Sequence, residues 1–405
     1  MFFVKAAFCR VFQLGFRAVL PVLPYREPEI LSSCGDIPGV LVKERADNVL
    51  IVTDKGIVAN GLLAPIEEAL TACNIDYTVY DGTRPNPSVT NVADALALYQ
   101  TNGCKALIAV GGGSAMDCAK AVGARLAHPR KSLRQMKGIL RVWRKLPPLI
   151  AVPTTAGTGS EVTLAAVVTD SEKKDKYALM SFPLIPKYAV LDAGLTVSLP
   201  KGLTATTSMD ALTHAVEAYI GRSTTRHTRE YALEATRLVF AHLQEAYEDG
   251  TNLEARKAML TAAYKAGEAF SQSYVGYIHA VAHSLGGFYG TPHGLANAVI
   301  MPYVLDVYGA HAYKKLHALG VAAGVCTEAV SHKEGAEAFI RAIREMNKAM
   351  NIPEKLQGID KADIPALARH AEKEANPLYP VPMLMTAREL EAIYHTVADW
   401  SEQKA

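Results

Sequence analysis

The chain changes its hydrophobic periodicity once, near Leu199, and this change constrains the fold more than any other feature of the sequence. From Asn48 up to that point, short apolar runs such as NVLIV alternate with helical patterns. Strands that alternate with helices predict a mostly parallel, doubly wound sheet. After Leu199 almost every apolar pattern has the period of a helix. The sequence therefore predicts an α/β domain followed by an all-helical domain.

Composition is consistent with two domains and excludes several classes of protein. Half of the 405 residues are hydrophobic, which is enough for large buried cores. The net charge of +2 is too small to indicate a nucleic-acid partner. The six cysteines have no C-x-x-C spacing, so we expect reduced thiols in a cytoplasmic protein and no disulfide framework.

The first twenty residues predict an amphipathic helix. Arg10, Gln13 and Arg17 share one side of it, and apolar residues such as Phe8 and Phe12 occupy much of the rest. Basic residues within the apolar stretch, and the lack of a small-residue cleavage site, argue against a signal peptide. We expect the helix to pack on its own protein or on a second subunit, and attachment to a membrane surface through residues 1–20 is the alternative. No other stretch reaches the length of a membrane span.

Aspartate and histidine residues in the helical half form the strongest chemical pattern. Asp210 and His214 are four residues apart, as are His279 and His283, so a helix would place each pair on one face. His293 follows in a predicted loop, after a Gly-Gly turn and a proline. Either pair alone is also compatible with packed or surface histidines. Together, one carboxylate and several imidazoles could converge on one divalent ion, and three imidazoles with an aspartate would suit Fe(II) or Zn(II).

A glycine-rich turn at 111–114 follows a predicted buried strand and precedes a helix. Glycines allow close approach of a phosphate, and the helix start favours an anion, although such a turn also forms for packing alone. Asp54 lies at another strand end, where a carboxylate could bind a ribose hydroxyl. Because Asp54 precedes the glycines, this is not the ordinary G-x-G-x-x-G fingerprint. A different dinucleotide fold or a different ligand is needed. The hydroxyls of a second small-residue turn, at Thr154, Thr155, Thr158 and Ser160, would also suit a nucleotide.

Four motifs in register resemble the iron-containing alcohol dehydrogenase family, over nearly all of the chain from about residue 28. They are GGGSAMD at 111–117, PTTAGTGSE at 153–161, MDALTHAVEAY at 209–219 and HAVAHSLGGFYGTPHG at 279–294. The resemblance implies a dehydroquinate synthase-like architecture. An extension at 1–27 would precede an α/β dinucleotide-binding domain at 28–199 and an all-helical metal-binding domain at 200–405, with substrate in the cleft between the domains.

The resemblance also implies roles for individual residues. The metal, iron(II) with zinc as the alternative, would be bound by Asp210, His214, His279 and His293. His283 would be catalytic and lie beside the nicotinamide and the substrate. Asp54 matches an acid that favours NAD(H) over NADP(H). Further cofactor contacts are implied at Asn86, Gly112, Gly113, Ser114, Asp117, Thr154, Thr155, Thr158, Thr163, Lys176 and Leu195.

The implied function is a metal-dependent alcohol dehydrogenase that transfers hydride between a primary alcohol or aldehyde and NAD(H), as a homodimer. One alternative is a glycerol dehydrogenase or a dehydroquinate synthase-like enzyme on the same scaffold. A second alternative, of another class, is a non-catalytic metal- and nucleotide-binding assembly protein. The chain departs from the usual family pattern at Tyr274 and Tyr277, which bring bulk ahead of a predicted metal ligand, and at Ser284, which replaces a proline.

Overall fold

A computed structural model of the chain describes residues 2–172 and 175–401, with side chains described from residue 5 onward. The chain divides into two compact units. One unit is Pro24–Leu199, and the other comprises the N-terminal segment up to Leu23 together with the chain from Pro200 onward. The N-terminal segment, which contains helix α1 (Phe2–Val19), therefore belongs to the helical unit.

The described residues of the α/β unit form two sheets. The strands are β1 (Glu29–Leu31), β2 (Asn48–Val52), β3 (Asp76–Tyr80), β4 (Ala106–Gly111), β5 (Gly138–Ile139), β6 (Leu149–Pro153), β7 (Ala165–Asp170), β8 (Asp175–Met180) and β9 (Tyr188–Val190). Six of them form a parallel sheet in the order β1-β9-β6-β4-β2-β3. The predicted parallel, doubly wound sheet is confirmed. The later strands β7 and β8 are not part of it, because they pair antiparallel in a separate sheet with β5.

Both faces of the large sheet are buried, which explains why its central strands are continuously apolar. Leu50 and Val52 of β2 point to one core, and Val49 and Ile51 point to the other. The helices of this unit are α2 (Ile37–Lys43), α3 (Lys55–Ala59), α4 (Ala64–Ala72), α5 (Val89–Thr101) and α6 (Gly113–Ala127). Residues of α5 and α6 lie in the first core, and residues of α2 and α4 lie in the second.

The sequence pattern predicts one helix from Gly56 to Cys73, and this prediction is wrong. The structure has two helices, α3 and α4, with an interruption between them. Gly61 adopts a left-handed backbone with φ of +68°. Pro65 follows in the first turn of α4, where the missing amide hydrogen costs nothing. The glycine and the proline together end one helix and start the next.

The second unit is helical throughout its described residues. Beyond α1 its helices are α7 (Lys201–Ile220), α8 (Arg226–Glu248), α9 (Leu253–Ser273), α10 (Tyr277–Tyr289), α11 (His293–Tyr308), α12 (Tyr313–Ala322), α13 (His332–Ala349), α14 (Ile364–Ala375) and α15 (Ala387–Val397). Helix α7 packs against α8, α9 and α11 and is buried on nearly all sides from Thr204 to Ile220. The side chains of α7 from Ser208 to Ala218 therefore lie inside the helical core.

Among the residues described, no helix combines the length and the apolar character needed to cross a bilayer. The six cysteines are free thiols, as predicted; four of them are buried, whereas Cys73 is exposed.

Candidate metal centre

Helix α7 supplies the first two candidate ligands. Asp210 and His214 are separated by one helical turn and face the interior, where they are 2% and 5% exposed. The ring of His214 stacks on Phe270, with a centroid distance of 4.0 Å and an interplanar angle of 13°. This packing fixes the orientation of the imidazole before any ligand binds.

Helix α10 supplies His279, which a carboxylate on α7 holds in place. The Nδ1 atom of His279 lies 2.6 Å from Oε2 of Glu217. Because a carboxylate only accepts hydrogen bonds, Nδ1 carries a hydrogen, and Nε2 is the ring nitrogen left for a metal. The carboxylate of Glu217 also accepts hydrogen bonds from the backbone amides of Gly276 and Ile278, both at 2.8 Å. A carboxylate behind an imidazole is a common support for a metal-ligating histidine.

His293 is the first residue of helix α11, so the predicted loop at this position is wrong. The predicted Gly-Gly turn is also wrong, because Gly286 and Gly287 lie inside α10, which ends at the left-handed Gly290. Pro292, just before His293, is compatible with a helix start because proline needs no amide partner there. Gly294 allows α11 to approach α7 closely, since a Cβ at this residue would lie 2.4 Å from the carbonyl oxygen of Thr206.

The four predicted metal ligands converge in the helical unit. Asp210, His214, His279 and His293 each offer one ligand atom, and these atoms all lie within 4.8 Å of one another. The Oδ1 atom of Asp210 is 3.6 Å from Nε2 of His279 and 3.4 Å from Nε2 of His293. The side-chain amide of Asn297 donates a hydrogen bond of 2.7 Å to the same Oδ1 atom. Distances of this size leave room for one ion between the donor atoms.

Two buried nitrogen atoms of this cluster lack a hydrogen-bond partner among the described residues. They are Nε2 of His279 and Nδ1 of His214. A buried polar atom without a partner costs free energy unless something else binds it. Three imidazoles and one carboxylate form a donor set that suits Fe(II) or Zn(II) and suits calcium or magnesium poorly. The residues present therefore fit a divalent transition metal.

The charges of the cluster shift its pKa values in opposite directions. Burial disfavours ionised Asp210, but the surrounding imidazoles outweigh this and hold the pKa of the carboxyl below its usual range. Burial lowers the pKa of His214 to about 3, which keeps this imidazole neutral. Burial also opposes protonation of His279, but hydrogen bonds and charges from Asp210 and Glu217 outweigh it and raise the pKa to about 9. Metal binding needs an ionised carboxylate and neutral imidazoles, so an ion at this site would have to displace the extra proton that the raised pKa places on His279.

His283, the predicted catalytic residue, lies beside this cluster. Its ring stacks on that of His293, with centroids 5.1 Å apart and an interplanar angle of 16°. Its Nδ1 atom is 2.6 Å from Oε1 of Glu374 on α14, and the hydroxyl of Tyr379 donates to the same oxygen at 2.8 Å. Burial raises the pKa of Glu374, but the charge and hydrogen bond of His283 and the hydroxyl of Tyr379 outweigh it and lower the pKa overall. The side chain of His283 remains 37% exposed, so its ring can be reached from solvent.

The predicted glycine-rich turn lies in the α/β unit, between β4 and α6. Gly111 has a φ of +144°, and a Cβ there would lie 3.0 Å from Cβ of Ala115. Gly112 caps α6 without any side-chain hydrogen bond, so the first backbone amides of this helix receive no acceptor from the cap residue. A Cβ on Gly113 would lie 3.1 Å from Thr158. The geometry fits an anion-binding turn at the carboxyl end of a parallel strand.

Other predicted cofactor residues surround this turn. Asp54 caps α3, where its Oδ1 accepts hydrogen bonds from the amides of Gly56 and Ile57 at 2.8 and 3.1 Å. The side-chain oxygen of Asn86 accepts a 2.6 Å hydrogen bond from Lys176. The backbone amide of Asn86 donates to the hydroxyl of Ser114 at 3.3 Å.

Part of the predicted cofactor set is engaged within the protein. The carboxylate of Asp117 accepts hydrogen bonds from Ser160 and from the amide of Val167, both at 3.1 Å. Thr163 is buried and holds the ammonium group of Lys120 at 2.9 Å from its hydroxyl oxygen. Leu195 is 4% exposed and packs in the core of the sheet. Of the remaining threonines, Thr154 is buried, and Thr155 and Thr158 are half-buried.

Sequence reasoning missed most of the residues that support the site. Glu217 lies in the motif MDALTHAVEAY, where it is seven residues beyond Asp210 and so on the same helical face, a signal that could have been used. Asn297 follows His293 by one helical turn. No local pattern indicates Glu374, which is 91 residues from its partner His283.

The two tyrosines that precede the predicted ligand His279 are both packed within the helical unit. The side chain of Tyr277 is fully buried, and its hydroxyl is hydrogen-bonded to Asn376 and to the main chain of Met385. Tyr274 contacts Phe16 of α1 edge to face, with ring centroids 5.1 Å apart.

Comparison with known proteins places this fold and ligand set in one class. Residues 32–193 match the model of the iron-containing alcohol dehydrogenase family, and residues 204–398 match the model of its C-terminal region. The 1,3-propanediol dehydrogenase of Klebsiella pneumoniae is 37% identical over 383 residues, covering 94% of this chain and 98% of that protein. The lactaldehyde reductase of Escherichia coli (strain K12) is 36% identical over 334 residues, covering 82% and 87% respectively.

Solved structures agree with the sequence comparison. The crystal structure of a 1,3-propanediol oxidoreductase matches with a TM-score of 0.89 and 36% identity, covering 92% of this chain and 99% of that chain. An alcohol dehydrogenase from Oenococcus oeni matches with a TM-score of 0.87 and 33% identity, covering 92% and 100%. The chain is therefore an oxidoreductase of the alcohol and aldehyde class. It belongs to the iron-containing alcohol dehydrogenase family.

Proposed function

We propose that the chain interconverts a primary alcohol and its aldehyde with NAD(H), using Fe(II) bound by Asp210, His214, His279 and His293. Zn(II) is the alternative metal, because the same donor set suits both ions. The observation that carries this proposal is the convergence of four ligand atoms within 4.8 Å, in a cluster where Nδ1 of His214 and Nε2 of His279 have no hydrogen-bond partner among the described residues.

In this chemistry the protein holds the metal-donor atoms in place and transfers the proton of the alcohol. When bound, the ion supplies a Lewis acid for the alcohol or carbonyl oxygen, and the dinucleotide supplies the hydride acceptor or donor. Glu217 keeps the hydrogen of His279 on Nδ1, so that Nε2 faces the other ligands. Asn297 orients the carboxylate of Asp210 by its hydrogen bond to Oδ1.

His283 is suited to accept the hydroxyl proton of the alcohol. Its Nδ1 hydrogen is directed at Glu374, so its lone pair is on Nε2. The same imidazole returns the proton when an aldehyde is reduced. Its partial exposure gives that proton a route to solvent.

The cofactor preference rests on the α/β unit. The amides at Gly112, Gly113 and Ser114 are suited to a pyrophosphate. Asp54 uses Oδ1 to cap α3, and its second carboxylate oxygen is left for a ribose hydroxyl. A 2′-phosphate would be repelled by this carboxylate, which favours NAD(H) over NADP(H).

The two relatives named above act, by their names, on 1,3-propanediol and lactaldehyde. We therefore propose a short-chain alcohol or aldehyde as substrate. We also propose a cytoplasmic location, supported by free thiols at the described cysteines, and a homodimer, which the family resemblance implies. Light scattering after size-exclusion chromatography tests the dimer, and cell fractionation tests the location.

An activity panel tests the proposed function. The protein is purified without oxygen and loaded with Fe(II) or Zn(II), and short alcohols and aldehydes are assayed with NAD(H) and NADP(H). We expect net formation or consumption of NADH that depends on the metal. Turnover of a substrate without net change in NADH would instead indicate a lyase on the same scaffold.

A further inference from the structure

Helix α1 turns a glutamine and an arginine inward, beside the buried Cys9, and leaves several large apolar side chains exposed, which is unusual for an amphipathic helix. Gln13 is 3% exposed, whereas Phe8, Val11 and Leu14 are 61%, 68% and 60% exposed. Arg10 is also turned toward the helical unit, and its guanidinium hydrogen-bonds to that unit. Gln13 is buried and Arg10 is half-buried, so both side chains need hydrogen-bond partners on the inner side of the helix.

The groups that it binds are backbone carbonyls of one segment, residues 376–382. Arg10 donates to the carbonyls of Val381 and Pro382 at 2.7 and 3.0 Å. Gln13 donates to the carbonyls of Tyr379 and Pro377 at 2.8 and 3.2 Å. The segment lies between α14 and α15 and forms neither helix nor strand. Side chains of α1 therefore supply donors that regular secondary structure would otherwise provide.

This segment leads directly to His283. Tyr379 belongs to it, and the Tyr379 hydroxyl donates to Glu374 at 2.8 Å. Glu374 in turn holds Nδ1 of His283 at 2.6 Å. Aromatic rings also connect α1 to Tyr379. Phe16 of α1 contacts Tyr274, whose ring centroid is 6.4 Å from that of Tyr379.

We propose that helix α1 is a positioning element for His283, acting through the 376–382 segment and the Tyr379–Glu374 pair. This inference rests on the proposed function, in which His283 handles the proton of the alcohol. In the part of the chain that the structure describes, Arg10 and Gln13 donate to the carbonyls around Tyr379 and act on His283 only through this segment. Tyr379 and Glu374 then set the direction of the His283 imidazole.

The proposal is tested by measuring how kcat changes when the α1 variants are made alone and in combination with His283→Ala. The double variant Arg10→Ala with Gln13→Ala should lower kcat about tenfold with little change in KM, because small displacements of a proton-transfer group cost rate rather than binding. The same pair introduced into His283→Ala should cause less than about a twofold further loss, since effects that act through one residue are not additive. Tyr379→Phe should behave in the same way as the α1 variant.

Arg17→Ala is the matched control, because Arg17 lies on the same helix, carries the same charge and is exposed. It should leave kcat within about twofold of the wild type, since surface substitutions away from such contacts are usually neutral. Circular dichroism and metal content should match the wild type in every variant. An equal loss of kcat with and without His283 would overturn the proposal.

Chemical modification of His283 tests its positioning by α1 without an enzyme assay. Diethyl pyrocarbonate modifies accessible imidazoles, and mass spectrometry of the His283 peptide gives its rate of modification. We expect faster modification of His283 in the Arg10→Ala, Gln13→Ala variant than in Arg17→Ala, with exposed His332 unchanged in both. An unchanged rate at His283 would contradict the proposal. Absence of dehydrogenase activity in the wild type, with the rate at His283 raised as expected, would reject the proposed function and leave the positioning role supported.

Discussion

The two regions assigned to chemistry are built in opposite ways. The candidate metal centre of the helical unit is made of side chains, on the helices α7, α10 and α11, and is supported by further side chains such as Glu217 and Asn297. The glycine turn of the α/β unit is made of backbone, at a strand end and a helix start. One region depends on which side chains are present, and the other depends on side chains being absent.

This difference predicts how each region fails. Removing a donor from the metal centre should abolish binding, because the remaining atoms cannot replace it. Adding atoms to the glycine turn should weaken binding by moving backbone.

His279→Ala should lose both metal and activity. It removes the Nε2 donor and leaves the buried carboxylate of Glu217 without its imidazole. We expect at least about a thousandfold loss in kcat/KM, together with loss of bound metal by elemental analysis. His332→Ala, at an exposed histidine, is the control and should retain both. Glu217→Gln should be milder, with metal affinity about 10 to 100 times weaker. Normal turnover by metal-free His279→Ala would show that this centre is not catalytic.

The sequence predicts the ligands of the metal centre better than their support. Asp210, His214, His279 and His293 come from motifs with fixed spacing, and the structure brings all four together. The residues that support them make tertiary contacts between distant parts of the chain, such as the one between His283 and Glu374. Local sequence spacing does not indicate such contacts. The start of α11 was missed because Gly-Gly and Pro-His-Gly read locally as a turn.

The fold shows the same division. The parallel sheet and the helical half follow from periodicity, which is a local property. Which sheet a strand joins is a tertiary property, so the separate pairing of β7 with β8 could not be predicted. The inward polar face of α1 was likewise hidden, because it depends on carbonyls more than 360 residues away.

Two glycine substitutions should each impair ligand binding in only one of the two regions. In Gly294→Ala the new Cβ would lie 2.4 Å from the Thr206 carbonyl oxygen, so α11 must move and carry His293 with it. In Gly113→Ala the new Cβ would lie 3.1 Å from Thr158 beside the glycine turn. We expect Gly294→Ala to lower metal affinity and Gly113→Ala to raise KM for NAD, each by about tenfold. Titrations of metal and of NADH fluorescence measure the two effects. If each variant impaired both titrations equally, the contrast between the regions would be lost.

The stability of the α/β unit should respond to pH through Glu161. Burial raises the pKa of Glu161 to about 7, above its ordinary value of 4.5. Between these pH values the unfolded chain releases the proton first, so this group lowers the free energy of unfolding as pH rises. Glu161→Gln removes that dependence. Relative to the wild type, the variant should gain about 2 kcal/mol between pH 4.5 and 7, measured by urea denaturation. If the difference in free energy of unfolding between variant and wild type stayed constant across this pH range, Glu161 would not have the raised pKa.

Asp54→Gly should have the smallest effect, a change in cofactor preference. Glycine is acceptable as a helix cap, so α3 should lose only a few tenths of a kcal/mol. Loss of the carboxylate should reduce discrimination against NADP by about fivefold, as a ratio of kcat/KM values. Asp47→Gly is the control, because Asp47 is an exposed aspartate paired with Lys105 and is not part of the predicted cofactor set. An unchanged ratio in Asp54→Gly would show that this carboxylate does not contact the ribose.

Anomalous diffraction at the iron edge, on crystals of the anaerobically loaded protein, tests the central claim most directly. One strong peak should appear within bonding distance of Asp210, His214, His279 and His293. A loaded protein with its peak elsewhere, or without any peak among these four side chains, would contradict the metal centre and the function proposed from it.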